Sequence, residues 1–101
     1  MSEREVAVKV QGEDEEIAYA FDVGNWGSNP SDVVVSAEVW SGGMWSDVSE
    51  DVLEGSVEVE GNVITLPVVK NLVAGKAYRI YFMFTSGGMV YEPYLTIHTE
   101  N

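Results

Sequence analysis

His98 is the only histidine in the chain, so any Ser-His-Asp relay would have to use it. It falls near the end of a terminal strand pattern, and no Gly-x-Ser-x-Gly elbow exists to present a nucleophilic serine. A half-exposed strand residue is the simpler reading. Cysteine is absent, which removes disulfides, thiolate nucleophiles and Cys-based zinc sites. Glu13-Asp14-Glu15-Glu16 is the densest acid run and could offer carboxylate oxygens to Ca²⁺. It lacks the alternate spacing of a calcium loop and reads as a solvated turn. Asp47, Glu50 and Asp51 could share acid–base work, but acids are common throughout this chain. The expectation is a protein that is not an enzyme, with no catalytic residues, no metal site and no cofactor.

The tryptophans carry more promise. Trp26, Trp40 and Trp45 could stack on sugar rings or anchor a protein interface. Trp40 follows a strongly apolar strand, and core packing competes with exposure there. Met44 and Trp45 follow Ser41-Gly42-Gly43, a hairpin tip, and would be interface anchors if that tip is exposed. Trp26 lies in a turn-rich stretch, Val23 to Ser31, punctuated by Gly, Asn and Pro. Trp26, Met44 and Trp45 are therefore the candidate protein-interface residues.

The elements that must position these residues are strands. Alternation dominates and helical periodicity is nearly absent. Val6, Val8 and Val10 mark a first strand, and Ile17, Tyr19 and Phe21 a second. In the third, Val33, Val35, Ala37 and Val39 line one face and Trp40 falls on the other. Residues 44–48 give a short fourth strand, and 49–53 an irregular edge or one helical turn. Val57 and Val59, Gly61-Asn62, then 63–69 read as a hairpin that Pro67 interrupts, since proline cannot donate to a ladder. Residues 76–85 and 89–99 flank the Ser86-Gly87-Gly88 tip. Tyr78, Ile80, Phe82 and Phe84 share one face of their strand, and Tyr91, Pro93, Leu95 and Ile97 one face of the next. Tyr78, three residues after Gly75, stands where a tyrosine corner would form. Seven or eight short strands at regular spacing predict an all-β, immunoglobulin-like antiparallel sandwich, and the 101 residues predict a single domain spanning 1–101. In that layout Trp26, Gly61-Asn62 and Ser86-Gly87-Gly88 share one pole. The 41–43 tip and the 70–75 turn share the other.

The formal net charge is -12. Residues 1–60 carry fifteen acids against Arg4 and Lys9, while residues 61–101 carry Glu92 and Glu100 against Lys70, Lys76 and Arg79. Such a chain repels phosphate backbones and anionic lipid, so neither nucleic acid nor membrane is an expected partner. A partner with a basic surface, adaptation to high salt, and plain solubility are the three readings of the acid. There is no run of 18 apolar residues, and the opening Met1-Ser-Glu-Arg-Glu5 has no signal-peptide apolar stretch.

The order of elements resembles small structural proteins of tailed viruses, the phage fibre–tail adaptor or head–tail virion proteins with an immunoglobulin-like fold. The likeness spans roughly residues 17–99 and rests on Phe21-Asp22 with Trp26, the valine-rich 32–39 strand, Glu60-Gly61-Asn62, Leu72 to Tyr78 with its Leu-x-x-Gly-x-x-Tyr turn, and Ser86-Gly87-Gly88. The resemblance implies a non-enzymatic virion subunit of bacteriophage or archaeal tailed virus, in tail or capsid, made in the host cytoplasm. It implies contacts with other virion proteins, as a homo-oligomeric ring or as shell-bound copies. A carbohydrate-binding or cell-surface adhesion module is the alternative. That would need two or three aromatics on one platform, whereas Trp26 and Trp45 are expected at opposite poles.

Overall fold

The computed structural model describes residues 5–24, 26, 27 and 29–100. The strands are β1 (Glu5–Gly12), β2 (Ala20–Asp22), β3 (Ser31–Ser41) and β4 (Met44–Asp47), followed by one helical turn, α1 (Ser49–Val52). Then come β5 (Leu53–Glu54), β6 (Glu58–Glu60), β7 (Val63–Thr65), β8 (Val68–Val69), β9 (Ala77–Ser86), β10 (Met89–Tyr91) and β11 (Tyr94–Glu100). The larger sheet runs β1-β11-β9-β3-β4, with β10 on β9; the smaller is β2-β7-β6, and β5 pairs with β8. This is an all-β sandwich in the immunoglobulin-like layout. β10 and β11 keep one register against β9, Tyr91 opposite Phe84 and Tyr94 opposite Tyr81. Pro93 splits them: it accepts from the Phe82 N–H at 3.0 Å and has no N–H to return.

One pairing departs from the antiparallel expectation. β1 runs parallel to β11, Val8 beside Thr96 and Val10 beside His98. Of the three valines that reveal β1, Val8 and Val10 point away from the core, at 56% and 60% exposure, while Val6, at the register shift, packs against it. The core side of this strand carries Ala7 and fully buried Gln11 instead. A buried amide needs partners on both ends. Gln11 Nε2 donates to the Val69 and Glu15 carbonyls at 2.8 and 2.9 Å, and its Oε1 accepts from the Tyr19 hydroxyl at 2.8 Å. Burial, then the nearby Glu15 charge, push the Tyr19 phenol above its ordinary pKa, so it stays a donor.

The core lies between the two sheets, where the alternation places it. Ile80, Phe82, Phe84, Leu95, Ile97 and Ala37 are fully buried and meet Ile64, Leu66, Val69 and Val23 from the smaller sheet and its connections. Phe21 stacks on Phe82 with ring centroids 5.2 Å apart. Each fully buried large apolar side chain contributes about 1.5–3 kcal/mol before conformational costs. Pro67 falls between β7 and β8, where the chain leaves the smaller sheet to pair with β5. Close packing also governs the loop after β2. A Cβ on Gly27 would sit 2.2 Å from Ser86 Oγ, so the loop closes on the β9–β10 tip only with glycine there.

Candidate functional site: the aromatic face of the larger sheet

The Ser41-Gly42-Gly43-Met44 tip sets the first part of the site. Gly42 and Gly43 both take positive φ, 61° and 83°, which a two-residue hairpin turn of the type matching strand twist requires. That turn places Ser41 opposite Met44 and Trp40 opposite Trp45. Both indoles lie on the outer face, edge to face, with centroids 5.3 Å apart and planes at 60°.

Register extends the face across the sheet. One row reads Asp47, Glu38, Arg79, Thr96 and Val8 across β4, β3, β9, β11 and β1. The next reads Ser36, Tyr81, Tyr94 and Glu5. The Arg79 guanidinium lies between two rings, its Cζ 4.4 Å from the Trp45 centroid and 4.7 Å from that of Tyr94. Tyr94 in turn meets Tyr81 at 5.3 Å. A continuous run, Trp40–Trp45–Arg79–Tyr94–Tyr81, therefore crosses β3, β4, β9 and β11. Each aromatic pair contributes about 0.5–1.5 kcal/mol beyond burial, and an exposed cation–π contact about 0.5–1 kcal/mol. The hydrogen bond with Tyr81 is the main reason Arg79 holds its proton more firmly than a free guanidinium, with Tyr94 and Glu5 adding to it. Thr96 Oγ1 donates to Glu5 Oε2 at 2.6 Å beside this run.

The run is graded in exposure. Tyr94 is only 6% exposed, although it is on the outer face, because its neighbours cover it; Trp40 is 45% exposed. Beside Tyr81 lies an open, shallow depression lined by Ser36, Glu38, Tyr81 and Glu92. The site thus offers an indole and a flanking acidic dip on a flat surface.

The sequence-predicted candidates divide. Trp45 belongs to this face, and Met44, 63% exposed, stands at its edge. Trp26 sits at the other pole, half-buried, stacked on Tyr91 at 6.3 Å and tilted against Phe84 at 6.0 Å. It closes the end of the core rather than standing free as an anchor. His98 is exposed on the outer face opposite Ala77. The 13–16 run forms the turn after β1, held by Gly12 N–H donating to Glu15 Oε1 at 2.7 Å. Among the described residues, no group of three or more His, Asp or Glu side chains is placed to hold a metal ion. Asp47 secures α1: its Oδ1 accepts from the Ser49 N–H at 2.9 Å and the Ser49 hydroxyl at 2.6 Å. Those bonds hold the Asp47 carboxyl below its ordinary pKa.

Reading the chain strand by strand missed Arg79, Tyr81 and Tyr94. Their signal is the complement of the core stripe: on the strands where Ile80, Phe82, Leu95 and Ile97 face in, these three face out. No protein-family model, no curated protein and no solved structure matches the chain.

Proposed function

We propose that this chain is a non-enzymatic structural subunit of a tailed-virus particle that works through protein–protein contact on the outer face of its larger sheet. The observation that carries the contact is that five of the ten large apolar side chains left exposed among the described residues share one side, against two, Val59 and Val63, on the smaller sheet. Val8, Val10, Val34, Trp40 and Val90 are 45–64% exposed, and register puts all of them on that face. Contiguous or aromatic-centred apolar surface on a folded domain marks a place where another surface sits. The virion assignment is supported by the resemblance over residues 17–99. The direct test is to place Trp45→Ala in the virus, count particles and image them. Lost or incomplete particles are expected; normal particles overturn the reading.

A second reading has one observation in its favour. Trp40, Trp45, Tyr81 and Tyr94 share a face, with Ser36, Glu38 and Glu92 polar groups beside them, which is the kind of platform a sugar-binding module uses. The outward Trp45 ring is already occupied by Arg79 and Trp40, which leaves Trp40 as the main open surface. Glycan-array binding by the isolated chain would favour this reading over assembly.

A further inference from the structure

We infer that the outer face of the larger sheet receives a lysine- or arginine-rich segment of a partner protein, seated on Trp40 and in the acidic dip between Glu38 and Glu92. The inference rests on the protein-contact reading above and names the partner's chemistry.

Three observations converge on it. First, the face is strongly acidic for its size. Glu38, Asp47, Glu92 and Glu5 rim or border the aromatic run. Lys9 shares the register side of Ala7 and Gln11, so Arg79 is the one lysine or arginine on the outward register of the described strands of this sheet; Lys76, just before β9, reaches the hairpin tip, its Nζ 3.5 Å from Ser41 Oγ. Second, that single arginine is held by Trp45, Tyr94 and Tyr81, and its one positive charge, which Glu5 also feels, offsets only part of a rim of four carboxylates. The face itself shows how a guanidinium is held here, between aromatic rings. Third, half-exposed Trp40 shares the outer face of β3 with Glu38, two residues along the strand, and an ammonium or guanidinium over an indole gains from the ring's negative face. A carboxylate on each side of the dip completes a cradle for one basic side chain.

Charge selects among occupants. A second copy would bring another -12 chain and set one acidic face against another, so face-to-face self-association is opposed. Phosphate-bearing partners are opposed for the same reason. A basic segment is favoured both by the local rim and by the field of the whole chain, which steers it in.

The test separates the site from the general field. A ¹⁵N-labelled chain is titrated with a fluorescent oligolysine peptide of about ten residues, at low and at moderate salt. Shifts are expected at the Trp40 and Trp45 indole N–H groups and along β3 and β9, with little change at β6. The double variant Glu38→Gln/Glu92→Gln should weaken binding by about tenfold, and Trp40→Ala by a similar factor. Glu58→Gln/Glu60→Gln removes the same charge from the smaller sheet and should change binding less than about twofold. Circular dichroism confirms that each variant is folded. Equal weakening by the two double variants, shifts spread over both sheets, absence of binding, or a dimer formed through this face would each overturn the inference. If the peptide does not bind while Trp45→Ala still disrupts particles, the assembly reading stands and only the basic partner is lost. If the peptide binds at this face and particles tolerate Trp45→Ala, the reverse holds.

Discussion

The Tyr78 hydroxyl accepts a hydrogen bond from the Val73 N–H, 2.9 Å away, and so ties the start of β9 to the turn that leads into it. Tyr78 itself is 3% exposed, with its ring in the core and its oxygen reaching back five residues. Tyr78→Phe keeps the ring and strands the amide. We expect a loss of about 1 kcal/mol or more in urea melts. A neutral result would show that water satisfies Val73 equally well.

Arg79 joins Trp45 to Tyr94, and its removal should loosen the whole outer run. Arg79→Ala is expected to cost about 1–2 kcal/mol, from two partly buried cation–π contacts and the lost covering of Tyr94. Arg79→Lys should recover only part of this, since an ammonium is not planar and cannot lie flat between two rings. Thermal melts with tryptophan fluorescence check both variants, and equal stability of the lysine variant and wild type would argue against stacking.

Thr99 sits on the core side of β11 beside Gln11, 7% exposed, and its Oγ1 is buried without a hydrogen-bond partner. A lone buried hydroxyl costs about 1–3 kcal/mol in desolvation. Thr99→Val keeps the shape and removes the oxygen, so a higher melting temperature is expected. A fall would mean that the hydroxyl is bonded after all, for example to a buried water.

Asp47 gives the fold a pH dependence of known sign. Its carboxyl is held below the ordinary range by two bonds from Ser49, so the folded state binds that proton less readily than the unfolded chain. The stabilisation is fully present above the unfolded carboxylate pKa of about 3.9 and is lost as pH falls through the lower folded value. Acid also relieves the repulsion among the other carboxylates, so the useful signal is a difference. Between neutral pH and strong acid, wild type should lose its advantage over Asp47→Asn, and a gap unchanged with pH would remove the effect.

Much of the fold is legible in the sequence because burial on one side of a strand forces a period of two. Tyr78 to Phe84 and Leu95 to Ile97 alternate in that way, and they are buried as the pattern requires. The tyrosine corner was readable from its spacing to Gly75. The facing of β1 was not. Val8 and Val10 imitate a core stripe, and only the placement of β1 at the sheet margin, with Gln11 turned inward, reverses them. The site was half legible. A two-residue Gly-Gly tip dictates that Trp40 meets Trp45, which local geometry supplies. That Arg79 and Tyr94 complete the run depends on which strands become neighbours, and alternation within one strand carries no such information.

The parallel pairing of β1 with β11 orders events as the chain is made. Val8 finds its ladder partner only at Thr96, so β1 has no place in the larger sheet until β11 has been synthesised. Local hairpins, β3 with β4 and β9 with β10, need no such wait. Until its own β1 docks, β11 has an unzipped margin, and a β1 from a neighbouring copy fits it as well. Crowded refolding should therefore yield molecules that have exchanged their first strands, while dilute refolding should not.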